Sequence, residues 1–363
     1  MSRIIFCVTN DLNFDQRMIR ICTSLAQAGY DVLLVGRMNR HSGPLEKRPY
    51  RQHRLNLPFF AGKGFYVSYQ LALFRFLMKQ KTDAVVAIDL DTIIPVYHAS
   101  KIRGWKIAMD AHEYFTGQKE VMSRPVIHKI WKGIEKKYLP HFQMGYTVSN
   151  GIARLFREEY GLNYEVIRNM PVYKAHKPKS WTENMDILYR GAINEARGLA
   201  ELVDAMPEIH ANVHLYGEGN YTRLLKEKIA KNNLQNKLFI HHALLPAQLD
   251  EVSRKAGIGI NLVENTGLNQ YHSLANKFFD LMHLGIPQVT MNFPEYRAIN
   301  EKYEVALLID QTNPELIASA VNTLLSNKDF YEKLSRSAIE ASRIYCWENE
   351  EPLLLKFYER LVG

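Results

Sequence analysis

Between residues 273 and 289 the chain reads SLANKFFDLMHLGIPQV. Phe278, Phe279, Leu281 and Met282 give this stretch the apolar face of a core helix, and Gly285, Ile286 and Pro287 stop it before a β-rich run. Yet Lys277, Asp280 and His283 interrupt the apolar pattern at three-residue spacing, so they share one side of the helix. A helix start offers unpaired N–H groups and the positive end of the macrodipole, and both favour an anion. Lys277 falls in the first turn, where the macrodipole disfavours a cation, and Asp280 follows one turn later, roughly 5 Å along the axis. A phosphate at Lys277 and a hydroxyl-rich group at Asp280 would suit a nucleotide. A partly buried Lys–Asp pair would account for the same two residues.

Short β-rich runs alternate with amphipathic segments on both sides of this stretch. In the first half they are IIFCVT (4–9), DVLLVGR (31–37), DAVVAID (83–89), WKIAMDA (105–111) and MGYTVS (144–149), with a helix predicted from Asp15 to Gly29. A hydrophilic, proline-bearing stretch, PVYKAHKPKSWTENM (171–185), reads as a linker. The alternation then restarts with DILYRG, NVHLYG, KLFIHH, IGINLV, PQVTM and VALLI, and a last helix is predicted over Trp347–Leu361. Continuous apolar strands separated by helices imply parallel sheets covered on both faces. The fold class is therefore α/β: two doubly wound, Rossmann-like domains facing across a cleft at the carboxyl ends of their strands, where such folds bind ligands. The boundaries are drawn at 1–172, 173–343 and a terminal helix, 344–363.

Composition narrows the functional classes. With 363 residues, 47% hydrophobic and 23% charged, the chain has the balance of an ordinary globular protein of about two domains. No apolar run approaches the roughly 18 residues of a membrane span, and MSRIIFCVTN reads as a first strand, not a secretory leader. Cys7, Cys22 and Cys346 are too scattered for a zinc site or a disulfide frame, which points to a reducing, cytoplasmic setting. The net charge of +8 is uneven: residues 1–170 hold 25 basic and 14 acidic side chains, the remainder 21 and 24. Its densest basic stretch sets Arg37, Arg40, Lys47, Arg48, Arg51 and Arg54 against Glu46 alone and leads into the aromatic LPFFAGKGFYVSYQLALFRFLMKQK. That combination fits an acidic membrane surface, or equally a solvated loop before a core helix. Nucleic acid is not expected as a partner, since no binding motif accompanies the charge.

A dinucleotide dehydrogenase is excluded by the missing GxGxxG, and a P-loop enzyme by the missing GxxxxGK[ST]. Phosphate, if bound, needs other donors. In YRGAINEARGL (189–199), Arg190 and Gly191 end a strand and Arg197 precedes a helix-start glycine, where a guanidinium can grip phosphate oxygens with two prongs. In LYGEGNY (215–221), Glu218 tops a glycine turn of a common strand–helix type. The helix start at 273–277 is the third candidate.

These three stretches, with VTNDLNFDQRMIRICTSLAQAGYDVLLVGR, AIDLDT, DAHEYF and the late CWENEEPLLLKFYERL, closely resemble family 4 glycosyltransferases of the GT-B fold, group 1 type, over essentially the whole chain. The resemblance implies a retaining sugar transfer from a nucleotide-sugar to a saccharide or lipid-linked acceptor in polysaccharide or glycolipid synthesis. It implies neither metal nor cofactor, and a location in the cytoplasm or at the inner membrane face. It assigns Arg197 and Lys277 to the leaving diphosphate, Asp280 to the ribose hydroxyls, and His112 of DAHEYF to the donor sugar near its reacting carbon. Arg190, Gly191, Glu218, His272, Ser273, Leu274 and Asn276 complete the implied donor site. Asp15 and Arg17 of NDLNFDQR are candidates for the acceptor. The terminal helix is expected to cross back to the first domain.

Departures qualify the match. Many relatives carry two acids eight apart; here the second is Asp280 and the first position is His272. His272, or a backbone amide in Ser273–Ala275, is left to contact the sugar. The missing acid also leaves room for a catalytically inactive GT-B scaffold, and the fold itself for a sugar-nucleotide 2-epimerase. Asp89-Leu90-Asp91 has the spacing of a metal-nucleotide motif but ends a parallel strand, which favours a capping or site-lining role.

Overall fold

The computed structural model describes residues 1–40 and 42–363. The chain divides into two units, Met1–Asn169 with Asn349–Gly363, and Met170–Glu348.

The first unit is built on seven parallel strands: β1 (Arg3–Cys7), β2 (Asp31–Arg37), β3 (Arg51–Leu55), β4 (Ala84–Ile88), β5 (Lys106–Ala111), β6 (Gly145–Thr147) and β7 (Glu165–Val166). Their order is β3-β2-β1-β4-β5-β6-β7. Strand order reverses between β1 and β4, and the crevice beyond the carboxyl ends there is the ligand position of a doubly wound sheet. Both faces are covered, so β1 carries no polar alternation: Ile4, Ile5, Phe6 and Cys7 are all 0% exposed. The strand β3 departs from the loop expected for residues 37–54. Its sequence, RQHRL, lacks an apolar run because it lies at the sheet edge and is held by its ladder with β2.

The basic stretch containing β3 spends much of its charge locally. Arg37 donates to the carbonyls of Thr9 and Phe60 at 2.7 and 2.8 Å and lies over the Phe65 ring. Arg48 pairs with Glu46, Arg51 with Asp31, and Arg54 with Asp11. The expected basic surface is thus largely tied into the fold.

The second unit repeats the plan with β8 (Ile187–Arg190), β9 (Val213–Tyr216), β10 (Leu238–His241), β11 (Ile258–Asn261), β12 (Gln288–Met291) and β13 (Ala306–Ile309), all parallel, in the order β10-β9-β8-β11-β12-β13. Its switch point lies between β8 and β11. The last helix, Trp347–Val362, starts in this unit, and from Asn349 it belongs to the first. There the Tyr358 hydroxyl meets that of Tyr146 at 2.8 Å, and Phe357 packs edge-on to Tyr146. Among the described residues no helix is long and apolar enough to cross a membrane, and Cys7, Cys22 and Cys346 are buried and form no disulfide.

One ion pair joins three elements of the first unit. Asp15 caps the helix Gln16–Gln27 by accepting the Met18 N–H at 3.0 Å, which turns Arg17 inward. Arg17, 3% exposed, donates to Asp110 on β5 through Nε (3.2 Å) and Nη2 (2.8 Å), and to the Ile167 carbonyl at 2.9 Å. Removing one partner of such a pair strands a buried charge, which typically costs about 3–5 kcal/mol. Arg17→Ala should lose stability of that order in chemical denaturation, and adding Asp110→Asn should recover part of it. A loss under about 1 kcal/mol would show that the pair is not a structural tie.

Candidate active site

In the second unit the helix Asn276–His283 runs beside the carboxyl end of β8. It buries Phe278, Phe279, Leu281 and Met282 and leaves its polar side toward the segment Tyr189-Arg190-Gly191. Lys277 and Asp280, expected to point together, address different residues there. The Lys277 ammonium lies over the Tyr189 ring, 3.8 Å from its centroid, and a Cβ at Gly191 would stand 3.7 Å from Nζ. Asp280 instead faces Arg190, with Oδ2 3.2 Å from Nη2. Arg190 is 7% exposed and also reaches Asp250 (3.1 Å) and Ser253 (3.2 Å). Its charge is therefore compensated within the protein.

Lys277 and Arg197 are not compensated. Both are half-buried, and neither forms an ion pair among the described residues. Burial pushes the Lys277 amine down, and the Arg197 and Arg190 guanidiniums push it further, so its pKa lies well below that of an ordinary lysine. The fold holds this unfavourable arrangement by local constraint. Ala196 and Gly198 on either side of Arg197 are both left-handed (φ 60 and 63), and a Cβ on Gly198 would come within 2.6 Å of the Leu262 Cβ. The neighbouring loop is laced to this one: Gly191 N–H donates to the Tyr216 carbonyl at 3.0 Å and Ile193 N–H to that of Glu218 at 3.1 Å. A Cβ on Gly217 would lie 1.8 Å from the Gly191 oxygen, so only glycine fits.

The remaining donor candidates divide. Glu218, with Gly217, Thr222, Lys226 and His242, lines a cavity of about 310 Å³ at the ends of β9 and β10, and its carboxylate meets His242 Nδ1 at 3.1 Å. His272 is 5% exposed and packs edge-on against Tyr271. The side chain of Leu274 belongs to the apolar core, which leaves only its backbone for a ligand. Ser273 Oγ donates to the Gln270 carbonyl at 3.0 Å, and the Ala275 N–H, one of the amides considered for the sugar, goes to the Tyr296 hydroxyl at 3.0 Å. Asn276 opens the helix and is exposed.

In the first unit His112 follows β5. Its Nε2 meets Asp110 Oδ2 at 3.1 Å; Asp89 accepts its backbone N–H at 2.8 Å and lies 3.7 Å from Nδ1. Burial alone would lower the His112 pKa, but Asp110 and Asp89 outweigh it and raise it to about 9. Burial likewise opposes the Asp110 charge, yet Arg17 and His112 hold that carboxyl down to about 2. Burial pushes Asp89 up to about 8. The DxD pair thus serves the site from within: Asp89 anchors His112, while Asp91 accepts the Thr9 hydroxyl at 2.6 Å. Among the described residues no three His, Cys, Asp or Glu are grouped to hold a metal.

Asp15 and Arg17, expected at the acceptor, are turned to other work. Asp15 accepts the Met18 N–H and the Asn10 amide (2.8 Å), and the Arg17 donors go to Asp110 and Ile167. Arg17 therefore supports His112 through Asp110. Sequence reasoning missed Asp110, although two residues before His112 on a strand end places it on the same side. It also missed Tyr189 beneath Lys277, for which no signal existed beyond its place in the same strand.

No curated protein sequence matches the chain. Two family models do, one after the other: Glycosyltransferase Family 4 over residues 16–170, and Glycosyl transferases group 1 over residues 174–341. Among solved structures, sucrose-phosphate synthase from Thermosynechococcus elongatus superposes with a TM-score of 0.83 at 14% identity, covering 99% of each chain. Anabaena HepE, solved with UDP and glucose, gives 0.79 at 13% identity over 99% of this chain and 100% of its own. WaaG, a glycosyltransferase involved in lipopolysaccharide biosynthesis, gives 0.74 at 11% identity over 99% and 100%. At such identities the superpositions speak for the fold, and the two matched models speak for the family: the chain belongs to the group 1, family 4 glycosyltransferases and has the GT-B fold.

Proposed function

We propose that the protein is a retaining glycosyltransferase that moves a sugar from a nucleotide-sugar to a saccharide or lipid-linked acceptor, without a metal, in polysaccharide or glycolipid synthesis on the cytoplasmic side of a membrane. The observation that carries the reading is the pair of uncompensated cations, Lys277 and Arg197, held beside Tyr189 and Gly191 at the ends of parallel strands. A diphosphate there would supply the missing negative charge. HepE solved with UDP-glucose, and S. aureus TarM solved with UDP and a glycosylated glycerol, are structural neighbours that support the substrate class.

In this reading the bond between the sugar C1 and the β-phosphate oxygen breaks as the acceptor oxygen attacks C1 from the same face. The acceptor proton passes to the departing phosphate oxygen, so no side-chain base is required. Negative charge grows on the diphosphate, and Lys277 and Arg197 stabilise it where it develops. Asp280 contacts the ribose hydroxyls, with its carboxylate oriented by Arg190. His112, positively charged at neutral pH, is assigned to the donor sugar, its ring oriented by Asp110 and Asp89. The cavity beside Glu218 is the candidate for the base.

Lys277→Ala and Arg197→Ala should each lower turnover about 10²-fold or more. Asp280→Ala should chiefly raise the KM for the donor. Turnover at the wild-type level in both cation variants would refute the diphosphate assignment. UDP, GDP and ADP should separate in a thermal-shift panel, because only a nucleotide that binds the native state raises Tm. A protein that binds nucleotide yet neither transfers nor hydrolyses the sugar would be an inactive scaffold.

The charge of His112 gives a second test. A histidine pKa raised by folding contributes stability that is complete below its unfolded value of about 6.5 and is lost as pH rises through about 9. If the charged ring acts on the donor, kcat should decline over that same upper range. Asp110→Asn should shift the decline toward neutral pH, and an unmoved alkaline limb would show that His112 does not act through its charge.

A further inference from the structure

The basic stretch at residues 37–54 is largely tied up in local pairs, but a different surface of the first unit carries lysines that form no ion pair among the described residues. The helix Pro125–Tyr138 buries Trp131, Glu135 and Tyr138. Trp131 packs edge-on against Tyr66 (5.3 Å) and Phe115 (4.9 Å), which fixes the rotation of the helix. The single acid of the helix, Glu135, is 2% exposed and engaged by Lys132, Thr116 and Tyr160. The outward face is Val126, Lys129, Ile130, Gly133, Lys136 and Lys137, at the spacing of one helical stripe.

That face is unusual in two respects. Val126 and Ile130 are 73% and 53% exposed, with Met122 just before the helix at 46%. Lys129, Lys136 and Lys137 make no ion pair among the described residues. A solvated face would interleave acids with these lysines, and a protein-docking face would be depleted of lysine at its centre. Apolar side chains between unpaired lysines suit a boundary where hydrocarbon meets negative charge, since the lysine stems can lie along apolar surface while their ammonium groups reach headgroups. The adjoining helix Gly62–Met78, joined through Tyr66, also leaves Val67 and Leu71 exposed, at 62% and 52%.

We propose that the outward face of the helix Pro125–Tyr138 docks the protein on an anionic lipid surface. This rests on the reading above only in that a membrane-borne acceptor would be met there. The interaction combines shallow insertion of Val126 and Ile130 with attraction of three lysines to the headgroups, so it weakens as salt shortens the Debye length from about 10 Å at 0.1 M to about 3 Å at 1 M.

Co-sedimentation of the full chain with phosphatidylglycerol-containing vesicles tests the proposal, with phosphatidylcholine vesicles as the comparison. Binding is expected to the former at low salt and to be lost at about 1 M salt. The double variant Lys129→Glu/Lys136→Glu should bind at least about tenfold more weakly, and Ile130→Asp should weaken binding even at low salt. Arg48→Glu/Arg51→Glu, in the stretch already paired within the fold, should bind like wild type. Absence of wild-type binding would overturn the proposal. So would undiminished binding by the helix variants, loss confined to the Arg48/Arg51 variant, or a helix variant that changes only the oligomeric state in sedimentation. Hydrolysis of a soluble nucleotide-sugar, measured on the same samples, should be unchanged in the helix variants and also reports their folding. Wild-type hydrolysis without vesicle binding removes the docking surface alone; vesicle binding without any donor turnover removes the catalytic reading alone.

Discussion

An ammonium group half-buried beside two guanidiniums is the arrangement on which the second unit turns. Desolvation and like charge both work against Lys277, while the face of Tyr189 offsets them in part. The surrounding structure removes the usual escapes. Arg190 is anchored by Asp250, Asp280 and the Ser253 hydroxyl, so both acids are engaged with it. The Arg197 loop is fixed by left-handed residues on each side and by a glycine that cannot accept a Cβ. Positive potential is therefore prepared before any anion arrives, and no reorganisation is needed when negative charge develops. Such a site is a standing cost to the free protein, which is why a bound diphosphate would stabilise it.

His112 obeys the opposite logic. It faces Asp110, whose negative charge is held by Arg17, and Asp89, and together these two acids draw a proton onto the ring against the cost of burial. Here the fold supplies the compensation in advance, and the product is a cation of fixed orientation. In the proposed transfer the first cluster would supply fixed positive charge to a leaving group, and the second a rigid charged ring to the sugar. Arg17 belongs to this second cluster although it is remote from solvent, because it decides where Asp110 points.

Much of the fold was legible in the sequence because parallel strands buried on both faces read as continuous apolar runs. IIFCVT, DAVVAID and IGINLV are of this kind, and each contributes a strand. The strand β3 was not legible, because an edge strand need not be apolar and RQHRL reads as a charged loop. The same division holds at the site. Lys277 and Arg197 could be found because each stands at a strand–loop–helix junction, a local feature of the chain. Their surroundings could not, since Tyr189 under the ammonium and Asp250 beside Arg190 depend on which segments meet in space. The setting of Arg17 was hidden for the same reason: it shows only once β5 brings Asp110 beneath the first helical turn.

Charge density along a chain is thus a poor guide to where charge acts, and partner count is a better one. Residues 37–54 are the most basic stretch by sequence, yet Arg37, Arg48, Arg51 and Arg54 are all engaged within the unit. The helix Pro125–Tyr138 looks ordinary in sequence, since Glu135 sits among its lysines; only burial shows that this acid is turned inward, which leaves lysines and apolar side chains on the outward face. Lys277 is the extreme case, a single lysine in an apolar run that meets no acid among the described residues. A cation that folding buries without a partner raises the free energy of the free protein, and an anion bound beside it would remove that cost.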